Sequence, residues 1–259
     1  MKKLWVAHGL KRSGNHAIIG WLTSHDRCIF FNNIIPIAPI LRGEKAFPPT
    51  EDFNTWLKRK FRNRVHQFIV LRKKPSIIVS LEDHDIEVDP FSNIPLPVTN
   101  ILILRDPFNM FSSRIRKASL VNNPAYPDRN GPAMQRVVNL WKSHAREFLG
   151  ETNFLENKVC IYFDKWYSDS NYRQEICCKL NLKFTDAGFS MVSRTGGGSS
   201  FEGTKFDGKS NRMDVLNRKK KLSVIESSLL ESIFKDEEMN EIYRRLEKHF
   251  PPRQDRRTV

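Results

Sequence analysis

Leu4-Trp5-Val6-Ala7-His8-Gly9-Leu10-Lys11-Arg12-Ser13-Gly14-Asn15-His16-Ala17-Ile18-Ile19-Gly20-Trp21-Leu22 runs from a short apolar strand through a basic, glycine-containing turn into the start of an amphipathic helix. Gly9 and Gly14 stand at the spacing of the phosphate-binding loop G-x-x-x-x-G-K-[ST], whose turn aims backbone N–H groups and a helix N-terminus at an anion. The next two positions depart from that pattern. Asn15 and His16 replace the lysine that reaches the β/γ-phosphates and the hydroxyl that holds Mg²⁺, so the parts for ATP or GTP phosphoryl transfer are missing while the anion cradle is kept. A plain strand-loop-helix turn is the competing reading. The two cations inside the turn and the helix-period apolar residues Ala17, Ile18, Trp21 and Leu22 favour the cradle.

A second segment, Ile101-Leu102-Ile103-Leu104-Arg105-Asp106-Pro107-Phe108-Asn109-Met110-Phe111-Ser112-Ser113, begins with a continuous apolar run, as in a parallel strand buried on both faces. Asp106 followed by Pro107 is a helix start, an N-cap acceptor before a residue pre-set for the first helical position. Arg105 therefore falls at the C-terminal end of a strand, the edge where open α/β sheets bind ligands. Ser113 lies about two helical turns further on and can return a hydroxyl toward the same rim. A guanidinium fork with a hydroxyl suits a terminal phosphate; a salt bridge from Arg105 to a neighbouring carboxylate is the alternative.

Together these segments resemble a family. Arg12-Ser13-Gly14-Asn15-His16 is similar to the 5′-phosphosulfate loop of sulfotransferases, usually K-S-G-T, or R-S-G-S in several carbohydrate sulfotransferases. Arg105 to Ser113 resembles their 3′-phosphate motif, R-[DN]-P with a serine eight residues after the arginine. Trp141-Lys142-Ser143-His144 followed by Val159-Cys160-Ile161-Tyr162-Phe163-Asp164-Lys165-Trp166 is similar to that family's helix and the strand leading into its "YE-D-L" turn. Gly196-Gly197-Gly198-Ser199-Ser200-Phe201-Glu202-Gly203 falls where the family closes a basic, glycine-containing loop over the nucleotide.

The resemblance implies 3′-phosphoadenosine 5′-phosphosulfate (PAPS) as donor, the 3′,5′-bisphosphate (PAP) as product, and no metal. It implies that Lys11, Arg12, Ser13, Gly14, Asn15, His16 and Ala17 hold the 5′-phosphosulfate and that Arg105 and Ser113 hold the 3′-phosphate. Gly198, Ser199 and Ser200, with Lys205 or Lys209, then close over it. Where many members carry a catalytic lysine this chain has Arg12, with Lys11 one position earlier. An arginine keeps its proton, so Arg12 can act only as fixed charge.

An acceptor hydroxyl attacking sulfur must lose a proton. Pro75-Ser76-Ile77-Ile78-Val79-Ser80-Leu81 reads as a buried strand ending in Glu82-Asp83-His84-Asp85, four titratable groups on the sheet's C-terminal rim. The family keeps its base after a strand between the two nucleotide motifs, which makes Glu82 and His84 the candidates. A solvated acidic turn is the competing reading.

The chain of 259 residues, 39% hydrophobic and 28% charged, has ordinary globular usage and length enough for a full core. Lys plus Arg number 43 against 29 Asp plus Glu, a formal charge of +14 that favours anionic partners. The basic residues are spread along the chain with no zinc-finger, RNA-recognition or basic-zipper signature, so no specific nucleic-acid role is expected. Lys58-Arg59-Lys60-Phe61-Arg62-Asn63-Arg64 and Arg218-Lys219-Lys220-Lys221 read equally as anion sites or solvated faces. Cys28, Cys160, Cys177 and Cys178 lack C-x-x-C spacing, which argues against zinc or a disulfide framework and for a reducing, cytoplasmic setting. No run approaches the ~18 apolar residues of a membrane helix. The apolar stretch after Met1-Lys2-Lys3 is too short for a signal peptide.

The order strand, helix, strand, variable loop, helix, strand, strand, helix predicts an α/β fold, a P-loop-like three-layer α/β/α arrangement around a central parallel sheet. One sulfotransferase-like domain is expected over residues 1–250, with a disordered tail over 251–259. The proline-bearing segments 32–55 and 122–132 read as irregular, the former as a lid or acceptor wall. Helical periodicity is expected from Ala133 to Phe148 and from Ser223 to Phe250. The function expected is sulfuryl transfer to a hydroxyl or amine, with a carbohydrate or other anionic molecule among the candidate acceptors. A P-loop kinase and a non-catalytic binder of anionic glycan or nucleic acid are the alternatives.

Overall fold

The computed structural model describes residues 3–26, 28–33, 38, 76–120, 131–193 and 197–251. The segments 32–55, 58–64 and 122–132, Gly196 and the tail after Pro251 lie wholly or largely outside them. Five strands, β1 (Leu4–Gly9), β2 (Cys28–Asn32), β3 (Ser76–Glu82), β4 (Val98–Leu104) and β5 (Lys158–Tyr162), form one sheet in the order β2-β3-β1-β4-β5. Every pairing is parallel. The continuous apolar runs of β1, β3 and β4 are what a strand covered on both faces requires, and all of Leu4 to Ala7, Ile77 to Val79 and Ile101 to Leu104 are buried.

β1 sits at the centre, between β3 and β4, and the chain leaves its C-terminal end toward β2 on one side before crossing to β4 on the other. That reversal opens a crevice at the C-terminal edge, where Gly9, Glu82 and Ile103 align in register. Helices cover both faces. α1 (Asn15–Thr23), α4 (Phe163–Ser168) and α5 (Ser170–Lys179) bury Ile18, Trp21, Trp166 and Ile176 against Trp5, Ala7, Ile78, Ile103 and Ile161. α2 (Pro107–Leu120), α3 (Pro132–Leu149), α6 (Val224–Ile233) and α7 (Glu237–His249) meet in a second core around Phe111, Trp141, Leu230 and Leu246, joined by Leu104 and Tyr162. The opposite side chains of β1 and β3, Leu4, Val6, Ile77 and Val79, pack with Ile29, Phe31, Phe91 and Ile94. The three-layer α/β/α arrangement is thus present.

The expected helix from Ser223 to Phe250 is two helices. Asp236 accepts a hydrogen bond from the Met239 N–H and starts α7 as its N-cap, while Asn240 Nδ2 donates to the Phe234 carbonyl, satisfying the end of α6. Cys177 and Cys178 lie on α5 with the first buried and the second exposed, and the four cysteines are unbridged. Among the described residues no helix is long and apolar enough to cross a membrane.

Candidate functional site

The loop between β1 and α1 is a tight turn with left-handed backbone at Arg12 (φ 74°) and Gly14 (φ 87°). At Gly14 a Cβ would stand 2.1 Å from the Phe163 ring, so only glycine fits the turn and lets the ring close against it. Ser13 N–H returns to the Leu10 carbonyl, and the Ala17 and Ile18 N–H groups return to Gly14. The N–H groups of Gly14, Asn15 and His16 are the first-turn donors that a helix start leaves without intrahelical acceptors. They make the positive end of the α1 dipole face the crevice.

Two sets of cations flank this turn. On the β3 side, Asp83 takes the Lys11 N–H at 2.9 Å and both Arg114 terminal nitrogens at 3.0 and 2.8 Å, with Lys11 Nζ at 3.6 Å. Burial pushes the Asp83 carboxyl up, but Arg114 and Lys11 outweigh it and hold it below the usual range. Arg136 donates to the Asp83 carbonyl. On the β4 side, Arg105 donates to the Arg12 carbonyl at 2.8 Å, the Val215 carbonyl at 2.6 Å and Ser113 Oγ at 3.5 Å, and its guanidinium lies 4.7 Å from the Phe163 ring centre. Arg12 in turn donates to the Gly198 carbonyl at 2.9 Å, tying the turn to the late loop.

A partly buried carboxylate pair lies near Arg105. Asp106 caps α2 through the Asn109 N–H and accepts from the Tyr243 hydroxyl; Asp164 accepts the Asp106 N–H and the Asn109 side-chain amide. Burial pushes both carboxyls up, and the charge of Asp164 adds to it at Asp106, which is raised to about 7. Burial lowers Arg105 to about 10, which leaves it fully charged at neutral pH. In the late loop Ser199 Oγ donates to Glu202, and Arg218 donates to both. Arg218 is the main partner that, against burial, lowers Glu202 to about 2.

Between these parts lies a cavity of about 310 Å³. Lys11, Arg12, Gly14 and the start of α1 form its floor, Arg105 and Arg218 one side, Gly198 to Ser200 the cover, and Phe163, Tyr167 and Phe189 an aromatic wall. Several buried polar atoms of the residues around it lack a hydrogen-bond partner: Arg105 Nε, Arg218 Nε, Ser200 Oγ, Asn15 Oδ1 and Ser13 Oγ. Buried polar groups are almost always satisfied, and four of these five atoms, the two Arg Nε and the two serine hydroxyls, can donate, so they mark where an anionic group fits.

No protein-family model and no curated protein matches the sequence. In three dimensions the chain is similar to the sulfotransferase domain of the Synechococcus PCC 7002 olefin synthase, at 12% identity, with 95% of this chain and 96% of that chain covered and a TM-score of 0.49. It is similar to the sulfotransferase domain from the curacin biosynthetic pathway at 12% identity, 95% and 98% coverage and TM-score 0.47. The mouse sulfotransferase SULT7A1 complexed with PAP gives 12%, 95% and 88%, and 0.49.

Of the residues singled out in the sequence, Lys11, Arg12, Gly14, Asn15, His16, Ala17, Glu82 and Arg105 line the cavity, as do Gly198, Ser199 and Ser200. Ser13 and Ser113 are buried just behind its wall. Lys205 and Lys209 do not reach it; both are exposed on the turn beyond Gly203. His84 is also away from it, its Nδ1 beside the Asp85 carbonyl and its own carbonyl bonded to His144. The group that does meet Glu82 is His16. His16 Nε2 is 2.9 Å from Asn32 Oδ1 and 3.9 Å from Glu82 Oε1. Asn15 Nδ2 fixes the same Glu82 oxygen at 3.0 Å. Asp83, Arg218, Phe163 and the Asp106–Asp164 pair stand in segments already singled out but take their roles here from contacts made by topology, and Arg114 lies in no motif at all.

Proposed function

We propose that this protein transfers a sulfuryl group from PAPS to an acceptor hydroxyl or amine, using residues 1–250 as one catalytic domain, in a cytoplasmic setting and without a metal. One observation carries the reading. Arg105 is buried at the cavity's side with carbonyls and a hydroxyl as hydrogen-bond partners and with Nε unfilled, so its charge is available to a phosphate. The donor set fits PAPS: first-turn N–H groups, Lys11 and Arg12 for the 5′-phosphosulfate, Arg105 backed by Ser113 for the 3′-phosphate, and an aromatic wall for the base to stack on.

PAPS supplies the sulfuryl group. The acceptor oxygen attacks sulfur, the bond from sulfur to the phosphate oxygen breaks, and PAP leaves. Glu82 takes the acceptor proton, its carboxylate held by the Asn15 side-chain amide with His16 Nε2 nearby. Arg12 meets the charge that grows on the leaving oxygen, and catalysis is chiefly positioning and preorganised charge. Asn15 is committed to the Leu10 carbonyl and Glu82, so it does not replace the kinase lysine. A thermal-shift panel tests the reading: PAPS and PAP are expected to stabilise the fold without Mg²⁺. Stabilisation by ATP with Mg²⁺ alone, or by heparin-like polymer alone, would replace it with a kinase or a binder of anionic polymer.

A further inference from the structure

Val224 and Ile225 open α6 and are 87% and 69% exposed. Neither propensity nor packing accounts for them, because β-branched residues on a solvent-facing helical turn are poorer helix formers than alanine or lysine and their apolar surface stays in water. The turn that carries them is nonetheless firmly built. Ser223 and Glu226 form a reciprocal capping box, and Arg116 of α2 holds Glu226 through an ion pair at 3.3 Å.

Directly before this turn stands Arg218-Lys219-Lys220-Lys221. The carboxylates around it are already matched: Glu226 by Arg116, Glu202 by Arg218 and Lys221, Asp214 by Lys221. The surplus positive charge of this surface therefore sits on exposed Lys219 and Lys220, next to the two exposed aliphatic side chains. We infer that this surface docks reversibly on a lipid bilayer bearing anionic headgroups, with Val224 and Ile225 entering the interface and the lysines meeting the headgroups.

The composition favours a bilayer over a protein. Protein interfaces are depleted in lysine and draw their energy from Trp, Tyr and Arg in fitted pockets. A projecting helix end with two aliphatics and flanking lysines needs no complementary shape, and each basic residue near an anionic surface adds to the attraction. The formal charge of +14 attracts the whole molecule to the same surface. This inference stands apart from the chemistry proposed for the cavity.

Vesicle flotation of the full chain tests it. Association is expected with phosphatidylcholine vesicles containing phosphatidylserine, weak association with phosphatidylcholine alone, and loss in high salt. Val224→Asp with Ile225→Asp should reduce partitioning by about tenfold or more while leaving the melting temperature unchanged, since acidic residues suit a helix's first turn. Lys220→Glu should give a smaller loss. No association with the anionic vesicles overturns the inference, as does association that the double variant leaves intact. A dimer abolished by the double variant overturns it too, in favour of self-association.

Discussion

Arg105 and Arg114 are both buried, at 5% and 6% exposure, and both reach the same turn, yet they are used in opposite ways. Arg114 is spent. It meets Asp83 with two terminal nitrogens and, through Asp83, fixes the backbone and side chain of Lys11. Arg105 bonds to carbonyls and a serine, while the carboxylates nearest it are pushed toward their neutral forms. An ion-paired arginine builds the loop; an arginine held by neutral acceptors leaves a positive potential for a ligand. The same split separates consecutive carboxylates, with Asp83 in the clamp and Glu82 on the cavity.

The carboxylate half of this contrast has the largest expected effect. Glu82→Gln should lower turnover about 10²–10⁴-fold with PAP affinity nearly unchanged, measured at saturating donor with any accepted acceptor. His84→Ala should leave turnover near that of the parent. If Glu82→Gln retains full turnover and His16→Ala loses it, the proton goes to His16 instead.

Breaking the clamp should cost stability before function. Arg114→Ala leaves Asp83 charged and buried, with about 3–5 kcal/mol of destabilisation expected in denaturant unfolding. Adding Asp83→Asn should recover much of it. Because the folded Asp83 carboxyl is lowered, the clamp's contribution is full above the unfolded carboxylate pKa and fades as pH falls through the folded value. Equal unfolding midpoints for parent and Arg114→Ala would show that the pair is ornamental.

Arg105→Ala should do the reverse, weakening PAP by about 1.5–3 kcal/mol in calorimetry with a smaller change in stability. Adenosine 5′-phosphate should bind the parent and the variant alike. Equal affinity of the parent for adenosine 5′-phosphate and PAP would remove the 3′-phosphate site from the proposal.

Local sequence carried the strand-turn-helix, the strand before Arg105 and the Asp106 cap, because each depends on residues within a few positions of one another. Arg105 and Ser113 meet because eight residues span a cap and two helical turns. What it could not carry were contacts made by topology. Asp83 reads as one more acid on an exposed rim until the β1–β3 pairing brings it to Lys11 and α2 brings Arg114. The positions of His84 and His16 have the same cause: β3 ends at Glu82, so His84 turns away, while α1 carries His16 to within 3.9 Å of Glu82. Lys205 or Lys209 was expected at the nucleotide through the resemblance of the late loop, yet both are exposed beyond the cavity's lining, where Arg218, held by Glu202, stands beside Ser199.

The smallest effect concerns the carboxylate pair near Arg105. Burial, then the charge of Asp164, raises Asp106 to about 7, so the pair carries one fewer negative charge below that pH than above it. Ionisation places a further negative charge beside Arg105 and opposes an anion there, so the affinity for the 3′-phosphate should fall as pH rises through about 7. The phosphate's own second ionisation, near pH 6, acts the other way by strengthening the ligand's charge. Asp106→Asn separates the two, since asparagine keeps the N-cap and cannot ionise. The ratio of PAP affinities, variant over parent, should rise about two- to fivefold across neutrality, with most of the Coulomb term attenuated by the effective dielectric. The same raised carboxyl costs the parent stability above the unfolded carboxylate pKa, so Asp106→Asn should also gain in unfolding free energy relative to the parent as pH rises. A ratio that stays flat from mildly acidic to mildly basic pH would mean that the pair is already fully ionised, and that Arg105 is neutralised much as Arg114 is.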